Sequence, residues 1–142
     1  MSLRKQFKTD KKLEAKGIEI EFPDALITVA RAGGSNKKYK RALAKALKPF
    51  KSAVDTDSLD EDRMLPVIIK PFVDEVLLDW KTWVDGAWVS GIEGSTPGAI
   101  VEFTKENATK FLLECPELYY ELQEKAVGRK LFLEDMEEAA KN

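Results

Sequence analysis

The sequence predicts an α+β domain, predominantly helical, in which an N-terminal β-hairpin at about residues 18–30 packs on a bundle of about four to five helices. Three observations carry that expectation. Residues 18–22 alternate strictly, Ile18, Ile20 and Phe22 against Glu19 and Glu21, which is the period of a half-buried strand. Residues 65–83 hold the densest apolar material, and Leu65, Ile69, Phe72, Val76, Trp80 and Trp83 recur at steps of three and four, the period of a helix. After residue 103, Thr104 precedes Phe111, Leu112 and Leu113, and Pro116 precedes Leu118, Tyr119, Leu122 and Ala126, so that two further helices follow in turn.

Taken in order, residues 1–16 carry six Lys or Arg and only Leu3, Phe7 and Leu13 as large apolar side chains, and read as a short helical turn or a flexible N-terminal arm. The hairpin turns at Pro23-Asp24 and returns through the β-branched run from Leu26 to Ala30. Such a pair needs a helix against its apolar face. Gly33-Gly34-Ser35-Asn36 ends it and offers Ser35 or Asn36 as the N-cap of a helix over residues 37–48. The glycines match neither GxxxxGK[ST] nor GxGxxG, so the phosphate-loop reading fails. That helix turns Tyr39, Leu43 and Leu47 inward and leaves Lys37, Lys38, Lys40, Arg41, Lys45 and Lys48 in water, and Pro49 terminates it.

Ser58-Leu59-Asp60-Glu61 is a capping box that starts the central helix near residue 59, to run to 83. Pro66 and Pro71 each remove a backbone hydrogen bond, and because the apolar face keeps its register across both, one helix kinked near Pro66/Pro71 is expected in preference to two. Residues 84–103 contain four of the eight glycines and read as a long loop, with Trp88-Val89 pairing to Ala99-Ile100-Val101. Trp88 is either a binding anchor or folded back on the core. Gly128 ends the last regular helix, and residues 130–142 form an acidic helix with Leu131, Phe132 and Met136 on one edge, a candidate partner-binding edge together with Trp88.

At 142 residues a single domain spanning 1–142 is expected. The lone Cys115 excludes an internal disulfide, no charged start leads into an apolar run, and charges interrupt every apolar stretch well short of the roughly 20 residues of a membrane span. The expectation is a cytoplasmic protein that is neither secreted nor membrane-bound. Histidine is absent, which removes the commonest general base and metal ligand. Cys115 lies between Glu114 and Pro116, a setting that does not activate a thiol, and the Asp55 to Asp62 cluster lacks the glycine and glutamate that a calcium loop requires. No enzyme, cofactor or metal site is expected.

Charge is divided along the chain. Residues 1–51 hold 14 Lys and Arg against 5 Asp and Glu, a balance of +9, and residues 52–142 hold 9 against 20, a balance of −11. Three readings follow: halves that attract one another within one fold, a basic surface for nucleic acid on residues 37–51, or subunits that stack head to tail. Within the basic segment Lys37, Lys40, Arg41, Lys45 and Lys48 form the candidate surface, yet only Arg41 has the fork that reads guanine. Nucleic acid is therefore the runner-up.

The segments LRKQFKTDKKLEAKGIEIEF, ITVARAGGSNKKYKRALAKALKPF, DEVLLDWK and FTKENATKFLLECPELYYELQEKA, with the closing Lys141-Asn142, resemble in order and spacing the tail assembly chaperones of long-tailed (siphovirus-type) phages and prophages. The resemblance implies a protein of the host cytoplasm, absent from the finished virion, that binds the tape measure protein, keeps it soluble and brings tail tube protein to it. It also implies a programmed frameshift that yields a longer form carrying the tube-binding part, and the basic and acidic halves add self-association of the chaperone as an expectation. Pro66, Pro71 and the length of segment 84–103 depart from the family pattern.

Overall fold

A computed structural model describes residues 2–51 and 61–134. The capping box at Ser58, the helix start near 59, Met136 and most of the acidic C-terminal helix lie outside the described residues. The elements run α1 (Leu3–Phe7), α2 (Lys11–Lys16), β1 (Ile18–Phe22), β2 (Ala25–Val29), α3 (Lys37–Leu47), α4 (Glu61–Glu75), β3 (Leu77–Val84), β4 (Ala87–Ser90), β5 (Ile92–Glu93), β6 (Ile100–Val101), α5 (Lys105–Glu114) and α6 (Pro116–Val127). Short 3-10 turns cover Lys48–Phe50 and Lys130–Phe132.

The expected hairpin forms, with Phe22 opposite Ala25 across the Pro23-Asp24 turn and Ile20 opposite Ile27. It is half of a larger sheet. Strands β1 to β4 make one antiparallel sheet in sequence order, and β5 pairs with β6 in a second, two-stranded one. Ile20, Ile27 and Trp80 stand side by side across three strands and are all buried, so the inner face of the sheet is continuous apolar surface.

The central helix is corrected by the structure. It ends at Glu75, and residues 77–83, expected as its last two turns, belong to strand β3. The steps from Val76 to Trp80 to Trp83 fit a helix by spacing, but Trp80 and Thr82 are buried while Trp83 is 46% exposed, the alternation of a strand. Hydrogen bonding to β2 decides the matter, because the helical alternative leaves the two-stranded hairpin with an open edge. The register shifts between Thr28 and Val29, where Leu78 is the extra residue of a bulge and turns outward. Upstream, α4 runs through both Pro66 and Pro71 as one helix, so the two-helix alternative does not hold.

The expected loop 84–103 is also corrected, since strand β4, the short strands β5 and β6 and the end of β3 fall within it. Trp88 and Val89 pair with β3 and not with 99–101; Ile100 and Val101 pair with Ile92 and Glu93 instead. Asp85 and Gly86 both have positive φ (47° and 84°), the two-residue hairpin turn whose twist matches that of the strands.

Helices cover the inner face. Phe72 of α4 meets Tyr39 of α3 and Tyr119 of α6 edge to face, with centroids 6.3 and 5.1 Å apart. Trp80 meets Phe103 and Phe111 likewise at 5.2 and 5.6 Å, and its Nε1 donates to the Val101 carbonyl at 3.0 Å. The N-terminal residues fold as α1 and α2, capped by Ser2 and Asp10. They are tied to the far end of the chain by Asp10 N–H to the Phe132 carbonyl (2.8 Å), Glu134 N–H to the Lys8 carbonyl (3.1 Å) and Arg129 over the Phe7 ring.

The strand register makes the two β3 tryptophans unequal. Trp80→Ala should cost about 3–5 kcal/mol in urea unfolding, and Trp83→Ala about 1 kcal/mol or less. Equal losses would contradict the strand.

Candidate functional site

The end of the β3–β4 hairpin gathers four exposed large apolar side chains. The tight turn puts Trp83 directly opposite Trp88, and the rings meet edge to face with centroids 5.1 Å apart. Both are well exposed, and Val84 and Val89 beside them are exposed as well. Strand β4 is an outer strand of its sheet, and all four of its residues are exposed. Trp83 N–H also donates to the Asp24 carbonyl at 2.9 Å, so the β1–β2 turn braces the pair. A braced pair of large rings in water offers binding area at small further entropy cost. Trp88 was a candidate from sequence; Trp83 was missed because its helical spacing hid it. Its signal was Asp85-Gly86, a hairpin turn with a tryptophan two residues before and two after.

The second surface is α3. Asn36 is its N-cap, with Oδ1 accepting from Tyr39 N–H at 3.0 Å and Nδ2 donating to the carbonyls of Arg31 (2.8 Å) and Glu75 (3.2 Å). Lys37, Lys38, Lys40, Arg41, Lys45 and Lys48 are all exposed, as expected, and Tyr39 is buried. Among the described residues none of the six cations forms an ion pair.

The C-terminal edge is placed differently from expectation. Phe132 is fully buried and Leu131 half-buried, where Leu133 bridges to Thr9 of the N-terminal segment, and among the described contacts none joins either to Trp88.

Sequence reasoning missed a buried ion pair. Glu14 Oε2 accepts from Arg31 Nη1 at 2.6 Å, and Glu14 Oε1 accepts from Ser35 Oγ at 3.0 Å; the two charged side chains are only 3% and 14% exposed. Beside the pair lies a cleft of about 500 Å³ whose lining includes Glu14, Asp74 and Glu75 against Lys37, Lys38 and Arg41. Glu14 lies in a lysine-rich stretch where nothing local marks it as interior. Arg31→Met strands the Glu14 carboxylate and should cost about 3–5 kcal/mol in urea unfolding. A loss below about 1 kcal/mol would mean that water reaches the carboxylate.

Tyr39 and Tyr119 hold their protons above the ordinary phenol value of 10, chiefly because burial disfavours phenolate, and for Tyr119 also because its hydroxyl donates to Tyr39. Their contribution to stability is therefore full below about pH 10, where the unfolded chain keeps both protons, and is lost as the pH rises through the higher folded values. Alkaline titration followed by circular dichroism should show the native chain weakening above about pH 10, with Tyr39→Phe/Tyr119→Phe keeping more of its own stability there. Parallel curves would refute this assignment.

Among the described residues no cluster of three or more His, Cys, Asp or Glu is placed to hold a metal ion, and no helix is long and apolar enough to cross a membrane. Compared with known proteins, residues 34–142 match the family model described as YdaY prophage protein. No curated protein and no solved structure matches the chain. The match takes in α3, the tryptophan hairpin and both later helices, and the chain belongs to the YdaY prophage protein family.

Proposed function

We propose that this prophage protein is a tail assembly chaperone, which binds the tape measure protein, keeps it soluble and helps to recruit tail tube protein, without being retained in the virion. The observation that carries the proposal is the exposed Trp83–Trp88 pair across β3 and the outer strand β4, with Val84 and Val89 exposed near it, an apolar anchor open to a partner. A tape measure protein is a long helix with apolar stripes, and laying one stripe across two braced indole rings removes both from water. The order of motifs along the chain and its membership of a prophage family support the same reading. In this reading the protein works by binding and not by catalysis, acts in the host cytoplasm, and meets the tail tube protein through a longer, frameshifted form.

The alternative, a nucleic-acid-binding or regulatory protein, draws on the exposed cations of α3. A gel shift on random duplex at low salt tests it, and steeply salt-dependent binding would favour it.

Co-expression with the tape measure protein should raise its soluble yield and recover it in complex with this chain. Trp83→Ser/Trp88→Ser should cut that recovery by about tenfold, equivalent to about 1.4 kcal/mol of binding, with the urea midpoint nearly unchanged. A native chain that neither raises the yield nor co-purifies with the client would refute the proposal.

A further inference from the structure

The fold carries two charged faces of opposite sign, on different layers of the molecule, and among the described residues neither forms ion pairs. The first is the outer face of the sheet. With Ile20, Ile27 and Trp80 turned inward, the register sets Glu19, Thr28 and Asp79 in one outward row and Glu21, Leu26 and Lys81 in the next, with Asp24 in the adjoining turn. Four carboxylates thus face one lysine, and among the described residues Glu19, Glu21, Asp24 and Asp79 form no ion pair. The second is the α3 face, with six exposed cations and Ala44 exposed between Arg41 and Lys48. Helix α3 packs on α4 and reaches the core through Tyr39 against Phe72, so its wet face belongs to the helix layer and not to the sheet.

Among the described residues, folding does not bring the basic and acidic halves into ion pairs. The described pairs are Glu14–Arg31, within residues 1–51, and Lys70–Asp74 and Lys105–Asp74, within residues 52–142. None of them joins the +9 half to the −11 half.

We infer that the basic face of α3 docks on the acidic outer sheet face of a second copy of this chain, so that copies line up head to tail. Nucleic acid would neutralise α3 and be repelled by the sheet face, whereas a second copy satisfies both faces with one contact. Because the two patches differ, the contact is heterologous: each copy offers one of each, and the row extends without closing on a two-fold axis. Trp83 lies on the same face four residues beyond Asp79, about 13 Å along the strand, so docking centred on Glu19 and Asp79 bears least on the tryptophan pair. The use of such a row, coating a rod-shaped client with regularly spaced tryptophan pairs, rests on the chaperone reading. The contact itself does not.

The test is sedimentation velocity on the full chain alone, at about 100 μM and at low and high salt, about 0.05 and 0.5 M. The native chain should form larger species at low salt that dissociate at high salt. Glu19→Lys/Glu21→Lys and Arg41→Glu/Lys45→Glu, all at exposed positions, should each weaken self-association at least tenfold, and an equimolar mixture of the two variants should associate in pairs, through the native α3 face of the first and the native sheet face of the second. Urea midpoints near the native value show that both variants fold. A native chain that stays monomeric at low salt overturns the inference, as does association indifferent to the reversals, a mixture that fails to associate, or an α3 face that instead binds duplex DNA. Client yield measured with the same variants separates the two ideas. A monomeric chain that still raises the yield removes only the row, and an associating chain that does not raise it removes only the chaperone.

Discussion

The contact between Glu14 and Arg31 fixes the geometry of everything around it. A carboxylate taken out of water is tolerable only when its partners are close and well aimed, and here they come from separate parts of the chain. Arg31 supplies the charge and Ser35 a hydroxyl, while Arg31 N–H bonds back to the Glu14 carbonyl at 2.9 Å. The same short connection between β2 and α3 sends Asn36 to the end of α4, and Ala32 N–H to the Ala126 carbonyl of α6. Five elements therefore converge on residues 31–36. Gly34 suits that run, because a Cβ there would collide with the paired Glu14 Oε2 and Arg31 Nη1, and its φ of +55° favours glycine as well. The segment Ala30-Arg31-Ala32-Gly33-Gly34-Ser35-Asn36 thus has a structural reason at most of its positions.

A sheet covered on one face only is the second constraint. Its inner residues are committed to the helices, and its outer residues remain free to carry charge and aromatic surface. Open sheet edges invite unintended pairing, and this one is held short: β4 has four residues and ends at Gly91, whose φ of 110° bends the chain away into β5. A cross-strand tryptophan pair on such an edge is stiff enough to recognise a partner and too short to template a long strand.

The sequence made some of this legible and hid the rest for identifiable reasons. The hairpin, α3 with its six wet cations, the Thr104 cap and the Pro116 start could all be read, because each depends on neighbours within a few residues. The Thr104 side chain accepts from Asn107 N–H at 3.0 Å, as that local pattern implies. Residues 77–83 could not, since Val76, Trp80 and Trp83 satisfy both the helical period and, in part, the strand period. Only pairing with β2, fifty residues earlier in the chain, breaks the tie. Phe132 was misjudged for the same kind of reason: an apolar edge on an acidic segment reads as unpartnered until the N-terminal residues are seen to receive it. Of the candidate surfaces, Trp88 was visible and Trp83 was not, and the acidic sheet face was invisible because it is assembled from β1, β2 and β3 by register alone.

The division of charge along the chain then asks what it contributes to the fold, and the magnitudes answer that it contributes little. Exposed ion pairs are each worth about 0–1 kcal/mol, so keeping the α3 cations and the sheet carboxylates apart sacrifices almost no stability. Burial around Phe72 and Trp80 dominates the fold, and each such side chain is worth several times an exposed pair, about 3–5 kcal/mol on truncation. Across an interface the same groups act together: many weak, screened attractions of one sign pattern set orientation and encounter rate before any apolar contact forms. A net charge of −2 on a chain with such unlike faces keeps the overall repulsion between copies small while leaving each face strongly charged. Segregated charge is thus nearly neutral for the folded monomer and becomes consequential only when one copy meets another molecule.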